Sequence, residues 1–285
     1  MKTSISLVLS SGGARGIAQI GAIKVLEEQG FTVKSIAGSS IGSLIGGLYA
    51  MGRLDDFTSW LKTLKRRDVF NLMDFTWSSS GVMKGERVFN KIKSFIPDMY
   101  IEDMPIPFIA VSTDILHQKE ITFTQGSFFD AVRASIAIPG VFTPVNHMDN
   151  ILVDGGLINP LPLNHLPNQG DALVVAINLN APEETTFSLA KANSKYGGYL
   201  TITQKAILTM LGKITELSID LYKPDIVVHI PRNVVGVWDY HKADYLIEIG
   251  RQRTLAALHD FCQVSTEGVP KNVKHSNNNI KWNQR

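Results

Sequence analysis

The sequence predicts an α/β fold with a mostly parallel central sheet flanked by helices, and three observations carry that reading. Two strand–turn–helix units follow one another in the first 52 residues, each with a glycine-rich turn. Short β-rich runs bounded by Gly, Pro, Asp or Asn recur later, and helical patterns lie between several of them. Strands alternating with helices pack as right-handed βαβ units in a layered sheet.

The first strand is expected over residues 4–10, where a continuous apolar centre suits a strand covered on both faces. Gly12, Gly13, Ala14, Arg15 and Gly16 then turn the chain into a helix over 17–29. There Ile17, Ile20, Ile23 and Leu26 recur every three positions, and Gly30 follows as the stop. A second strand over 31–37 leads through Gly38-Ser39-Ser40-Ile41-Gly42 to a second helix over 43–51, with Gly52 behind it. Later strands are expected at 108–113, 151–153, 173–177 and 226–230, and helices at 128–138, 201–221 and 242–262. The stretch from Leu54 to Asp98 differs in character. A basic cluster, Lys62, Lys65, Arg66 and Arg67, lies with the exposed-looking Trp60 and Trp77 around a serine-rich break, as a mobile cap would. Past Gly268 the chain is polar and without periodicity. One domain over 1–265 with a flexible tail over 266–285 is therefore expected.

Composition narrows the function classes. A chain of 285 residues, 44% of them apolar, buries a sizeable core and excludes disorder for most of its length. Its one cysteine, Cys262, expected to be a buried thiol, makes neither an internal disulfide nor a multi-cysteine metal site. A net charge of +2 leaves no broad basic field, so no nucleic-acid partner is expected. The apolar stretch from Ile5 to Leu9 is too short for the core of a signal peptide, and no run of about 18 apolar residues occurs. A cytoplasmic protein is expected, with membrane contact at most peripheral; the oligomeric state is not readable.

Gly38-Ser39-Ser40-Ile41-Gly42 fits G-x-S-x-G between a strand and a helix, the setting in which that motif exposes a nucleophilic hydroxyl on a sharp turn. Ser40 is the candidate nucleophile, with Gly38 and Gly42 relieving the elbow. Gly42, Gly46 and Gly47 in the following helix imply a closely packed neighbour, for which the first glycine turn is the natural choice. If the two strands are adjacent and parallel, both turns share one sheet edge, and the amides of Gly12 and Gly13 can face the oxygen of a substrate attacked by Ser40. A dinucleotide reading of the first turn fits poorly, because Ser11 stands where the fingerprint needs glycine and no acid ends the second strand. For the base, Ser40, Asp154 and His229 or His241 can be assembled in Ser…Asp…His order, although His229 falls within an apolar strand. Asp154 closes a short apolar strand before two glycines; Asp-Gly is equally an ordinary turn signal.

Taken jointly, Ser10-Ser11-Gly12-Gly13-Ala14-Arg15-Gly16 with Gly21, the Ser40 pentapeptide, Ala134-Ser135 through Pro139 and Phe142, and Asp154-Gly155-Gly156 with Asn159 resemble the patatin-like phospholipase family over roughly 4–260. The resemblance implies a three-layer fold and a Ser-Asp dyad, with Ser40 as nucleophile, Asp154 as general base and Gly12 and Gly13 as oxyanion-hole amides. It implies hydrolysis of lipid carboxylic esters, of phospholipase A or lysophospholipase type, without metal or organic cofactor. Ser11 departs from the pattern, which usually has a third glycine there. Arg15 matches the family's usual basic residue, in a structural or phosphate-attracting role or simply exposed. An unperturbed aspartate is a poor base toward a hydroxyl, so Asp154 needs desolvation and a direct hydrogen bond to Ser40. The alternatives are a general carboxylesterase or thioesterase, or a regulatory protein that keeps the fold without turnover. The basic, Trp-bearing stretch can rest on an anionic lipid surface.

Overall fold

The computed structural model describes residues 3–72, 75–78, 81–166, 172–187 and 199–267. In chain order it contains β1 (Thr3–Leu9), α1 (Ile17–Glu28), β2 (Phe31–Ser39), α2 (Ile41–Ala50), α3 (Leu54–Thr63), α4 (Arg66–Leu72), β3 (Phe75–Ser78), β4 (Gly81–Met83) and α5 (Glu86–Lys93). These are followed by β5 (Phe108–Asp114), β6 (Lys119–Phe123), α6 (Phe128–Ser135), β7 (Val145–His147), β8 (Asn150–Asp154), β9 (Leu173–Ala181), α7 (Tyr199–Tyr222), β10 (Ile226–Pro231) and α8 (Ala243–Glu267).

Eight strands form the central sheet in the order β10-β9-β1-β2-β5-β8-β7, with β6 also on β5. Pairing is parallel from β10 through β5 and antiparallel among β5, β6, β7 and β8. The fold is thus the expected layered α/β sheet, completed by an antiparallel side whose β6 and β7 are too short and polar to read from pattern alone.

Side-chain alternation on the strands divides the core. Ile5, Leu7 and Leu9 of β1 enter the main core with α1, α2, α8 and α3, whereas Val8 points to the other face, where Leu161, Leu163, Ala176 and Ile219 of α7 cover it. Gly30 and Gly52 take left-handed φ of 84° and 72° and end α1 and α2 as expected. The helix expected to reach Ile138 stops at Ser135, since the chain approaches Pro139.

Several expectations need correction. Trp60 is half-buried and packs on Phe57 and Phe95 at 5.6 Å, because α3 turns Leu54, Phe57 and Leu61 into the core. Within the stretch from Leu54 to Asp98, α3 and α5 pack into the main core, while the side chains of residues 73–83, that of Trp77 included, lie outside the described residues. Cys262 is exposed on α8 rather than buried. Gly46 and Gly47 face Ile36 and Phe128, and only Gly42 meets the first turn, at the Leu9 and Ser10 carbonyls. α8 continues through Glu267, and the tail expected beyond it lies outside the described residues.

Close contact between α1 and α8 generates a test. A Cβ at Gly250 would stand 1.9 Å from the Ala18 carbonyl oxygen, and one at Gly21 would stand 1.9 Å from that of Ile247. Helix propensity alone makes Gly250→Ala stabilising by about 1 kcal/mol. The backbone overlap reverses that sign, and urea unfolding is expected to show a loss on the order of 2 kcal/mol. A gain in stability would contradict the packing described.

Candidate active site

Ser40 sits between the end of β2 and the start of α2 at φ 54° and ψ −124°, a left-handed φ that a serine adopts only when its surroundings impose it. The surroundings do so. Its N–H donates to Ser135 Oγ at 2.9 Å, and that hydroxyl donates onward to the Val111 carbonyl at 2.5 Å. The Ser40 carbonyl accepts from the Ser43 N–H at 2.9 Å and the Ser43 hydroxyl at 2.6 Å. Glycine is required on both sides of the elbow: a Cβ at Gly38 would lie 2.4 Å from the Gly42 carbonyl oxygen, and one at Gly42 would lie 2.2 Å from that of Leu9.

Asp154 reaches Ser40 through sheet register. Val111 of β5 is flanked by Ser39 of β2 and Thr122 of β6, and the next residue, Ser112, by Asp154 of β8 and Ile121 of β6. A strand has two edges, so β2 and β8 share the edge that β6 leaves open. They run toward each other and end at adjacent positions. Residues 114 apart in sequence thereby meet: the Ser40 hydroxyl donates to Asp154 Oδ2 at 2.5 Å, and the Gly156 N–H donates to Oδ1 at 2.7 Å. Asp154 is only 6% exposed, and burial pushes its carboxyl up to about 6 against the opposing pull of those two hydrogen bonds. The expected desolvation is therefore present.

The turn after β1 completes the constellation. Leu9 pairs with Gly38, so the two glycine turns are neighbours at the carboxyl edge of the sheet. The amides around the turn are engaged, Ser11 N–H with the Pro160 carbonyl and Ala14 N–H with that of Val237, both at 2.9 Å. Among the described residues no protein acceptor pairs with the Gly12 or Gly13 amide. Arg15 is buried, not exposed, and donates to the Leu179 and Arg232 carbonyls at 3.1 and 3.2 Å. Burial and the Arg232 charge lower it to about 10, so it stays a cation that clamps the turn from beneath. Ser11, in place of the usual glycine, is buried against Gly156 with no hydrogen-bond partner for its hydroxyl among the described residues.

Ser40 and Gly13 open onto an apolar cavity walled by Leu44, Trp60, Leu61, Val69 and Phe89 from α2 to α5 and by Phe142. Its lining suits a hydrocarbon chain. Tyr240, also at the cavity, is held neutral, its phenol raised to about 12 first by burial and then by the Asp154 charge. The histidine alternatives are not assembled: His229 is exposed on β10 beside Asn178, the buried His241 Nδ1 has no hydrogen-bond partner among the described residues, and the Ser40 hydroxyl and the Asp154 carboxylate pair with each other. Among the described residues no group of three or more His, Cys, Asp or Glu is placed to hold a metal ion.

Sequence reasoning gave no role to Ser135 or Tyr240. A buried serine eight residues into a helical pattern carries no local signal of its contact with Ser40. Tyr240 follows the last strand, where no motif marks it.

Comparison with known proteins returns the family that the sequence resembles. Residues 7–167 match the model of the patatin-like phospholipase family. An NTE family protein of Mycobacterium tuberculosis is 41% identical over 179 residues, covering 63% of this chain and 50% of the relative. A second NTE family protein of that organism is 30% identical over 272 residues, covering 90% of this chain and 46% of the relative. The lysophospholipase NTE1 of Kluyveromyces lactis is 34% identical over 191 residues, 64% of this chain but 13% of that protein. The chain thus spans about half the length of the first of these relatives. Among solved structures, VipD from Legionella pneumophila superposes with a TM-score of 0.50 at 13% identity over 90% of this chain and 67% of its own, a likeness of fold.

The buried carboxylate makes a prediction that needs no substrate. Because Asp154 holds its proton more tightly folded than unfolded, its contribution to stability is favourable below pH 4 and is lost as pH rises through 6. At pH 8 the ionised group costs on the order of 3 kcal/mol. Asp154→Asn is expected to raise Tm at pH 8 by several degrees, with the advantage vanishing near pH 4. An equal Tm difference at both pH values would exclude a raised carboxyl.

Proposed function

The chain belongs to the patatin-like phospholipase family, and from that premise we propose that it is a serine acyl hydrolase cleaving carboxylic esters of lipids. The observation that carries the reading is the 2.5 Å hydrogen bond from Ser40 to a desolvated Asp154, beside two amides that no acceptor among the described residues engages and at the wall of an apolar cavity. In this reading Ser40 Oγ attacks the ester carbonyl while its proton passes to Asp154. The oxyanion is held by the Gly12 and Gly13 amides, and Asp154 returns the proton to the departing alcohol oxygen, leaving an acyl-serine. Water, deprotonated by Asp154, then releases the fatty acid and restores Ser40. Every proton is carried by residues of the chain, so the cycle calls on no metal or organic cofactor.

The cavity supports a lipid acyl chain over a short ester, and phospholipase A or lysophospholipase specificity is the finer form of the reading. A general carboxylesterase or thioesterase would use the same dyad, because the dyad does not select the leaving group. Contact with a lipid surface is supported by α4, where Phe70 is 63% exposed and Arg66 and Arg67 face solvent beside the cavity-lining Val69 and Leu72. No helix among the described residues is long and apolar enough to cross a membrane.

A fluorophosphonate probe is expected to label Ser40, and Ser40→Ala to abolish the adduct by mass spectrometry; a folded protein that stays unlabelled would refute the enzyme reading. Asp154→Asn should lower kcat on a nitrophenyl ester by about 10³-fold. For the unmodified chain, kcat/KM should fall tenfold per pH unit below about 6, as Asp154 takes up its proton. Ser135→Ala leaves the Ser40 N–H without its partner and is expected to lower kcat roughly tenfold with KM little changed. A wild-type kcat in that variant would show that the elbow keeps its shape without Ser135.

A further inference from the structure

We propose that the outward face of α7 is a homodimer seam on which a second copy of the chain packs antiparallel. α7 lies on the side of the sheet away from the cavity, with Gly212 near the Asn180 carbonyl, Thr215 fully buried and Ile219 packed on the smaller core cluster. Its opposite side is apolar where a surface helix is normally polar. Ile207 is 48% exposed, Met210 62%, Leu217 56% and Leu221 71%, and Ile214 between them is half-buried. Single apolar residues on a surface need no explanation, but these five recur at alternating steps of three and four over two heptads, about 21 Å of helix.

The pattern selects the occupant. A stripe this narrow is the seam of a two-stranded coiled coil, whereas a helix resting on lipid carries a broad apolar face under a Lys/Arg-rich one. Between positions 205 and 220 the charges of α7 are balanced, Lys205 and Lys213 against Glu216 and Asp220. The arrangement of two of them fixes the direction. If the helices pair antiparallel about a two-fold axis, Ile214 packs against the partner's Leu217 and Met210 against the partner's Leu221. Lys213 then flanks the partner's Asp220, and the symmetry makes the same ion pair a second time. Parallel pairing would instead bring Lys213 beside the partner's Ser218, with no charge to meet. Lys213 and Asp220 are both exposed on the same side of the stripe, as the antiparallel register requires, and Lys213, which also pairs with Glu216 of its own helix at 3.2 Å, would bridge that carboxylate and the partner's Asp220. Such an interface is self-complementary and closes at two copies. It also leaves the cavity, walled by the helices of the other layer, open in both.

Sedimentation velocity of the full chain over a hundredfold range of concentration is the test. The unmodified chain is expected to shift from monomer to dimer as concentration rises. Leu217→Asp should remain monomeric throughout with an unchanged Tm, since the side chain is exposed. Lys213→Glu and Asp220→Lys should each weaken the dimer roughly tenfold by turning two attractions into repulsions, and the double exchange K213E/D220K should restore it. A monomer at every concentration overturns the proposal, including one that instead floats with anionic vesicles through this stripe. A dimer untouched by Leu217→Asp, or a double exchange that fails to recover what the single ones lose, overturns it equally.

Discussion

The site depends on one edge of one strand. β5 is long enough to be paired by β2 over its first half and by β8 over its second, and the two partners meet end to end at Val111 and Ser112. Parallel pairing delivers the elbow from one direction, and antiparallel pairing delivers the carboxylate from the other. The antiparallel side of the sheet is therefore the carrier of the carboxylate and not an appendage to a parallel core. β5 also holds the junction with its own hydroxyls: Ser112 donates to the Val153 carbonyl at 2.7 Å, and Thr113 to that of Asp154 at 3.0 Å. A slip of one residue in β8 would turn Asp154 to the other face of the sheet.

Several locally unfavourable features are concentrated there. Ser40 has a left-handed backbone, Asp154 is a carboxylate with little water, and the Gly12 and Gly13 amides lack protein partners among the described residues. Elsewhere local preference and global packing agree, as in the fully buried Ile5, Leu7, Leu9, Ile20 and Ile36. Sequences that specify one structure violate their own rules mainly at functional sites, and the surrounding core supplies the stability that tolerates it. The short Ser40–Asp154 hydrogen bond and the Gly156 amide reduce the cost of the buried charge without removing it, which keeps the carboxyl near the pH at which a base is useful.

What the sequence discloses follows the range of the interaction. The βαβ start was legible because apolar periodicity and glycine stops are local signals, and Gly38, Gly42 and Gly13 carry steric demands that survive in any context. The neighbourhood of Leu9 and Gly38 followed from topology rules alone. Asp154 was harder, since Asp-Gly-Gly is an ordinary turn and only its order among the other motifs singles it out. Trp60 looked exposed because charge surrounds it in sequence, whereas helix geometry turns it inward with Phe57 and Leu61. Cys262 looked buried because thiols usually are, yet it stands on the outer side of α8. Ser135 entered only as part of a motif, without a role, and Tyr240 was illegible, as their contacts with the site exist only once distant segments are packed together.

The glycine turn is fastened almost entirely by the far end of the chain. Arg15 is anchored on the Leu179 and Arg232 carbonyls, the Ser11 carbonyl accepts from Asn180, and the Ala14 amide donates to Val237. All four fasteners lie beyond residue 167, where the match to the family model ends, although the longer NTE family relative aligns across them. The motif residues and the parts that give them shape are thus one mechanical unit. Truncation at residue 167 would keep the motif residues while discarding the scaffold that shapes them. The working unit is accordingly larger than the matched segment, extending through β10 and the loop that follows it.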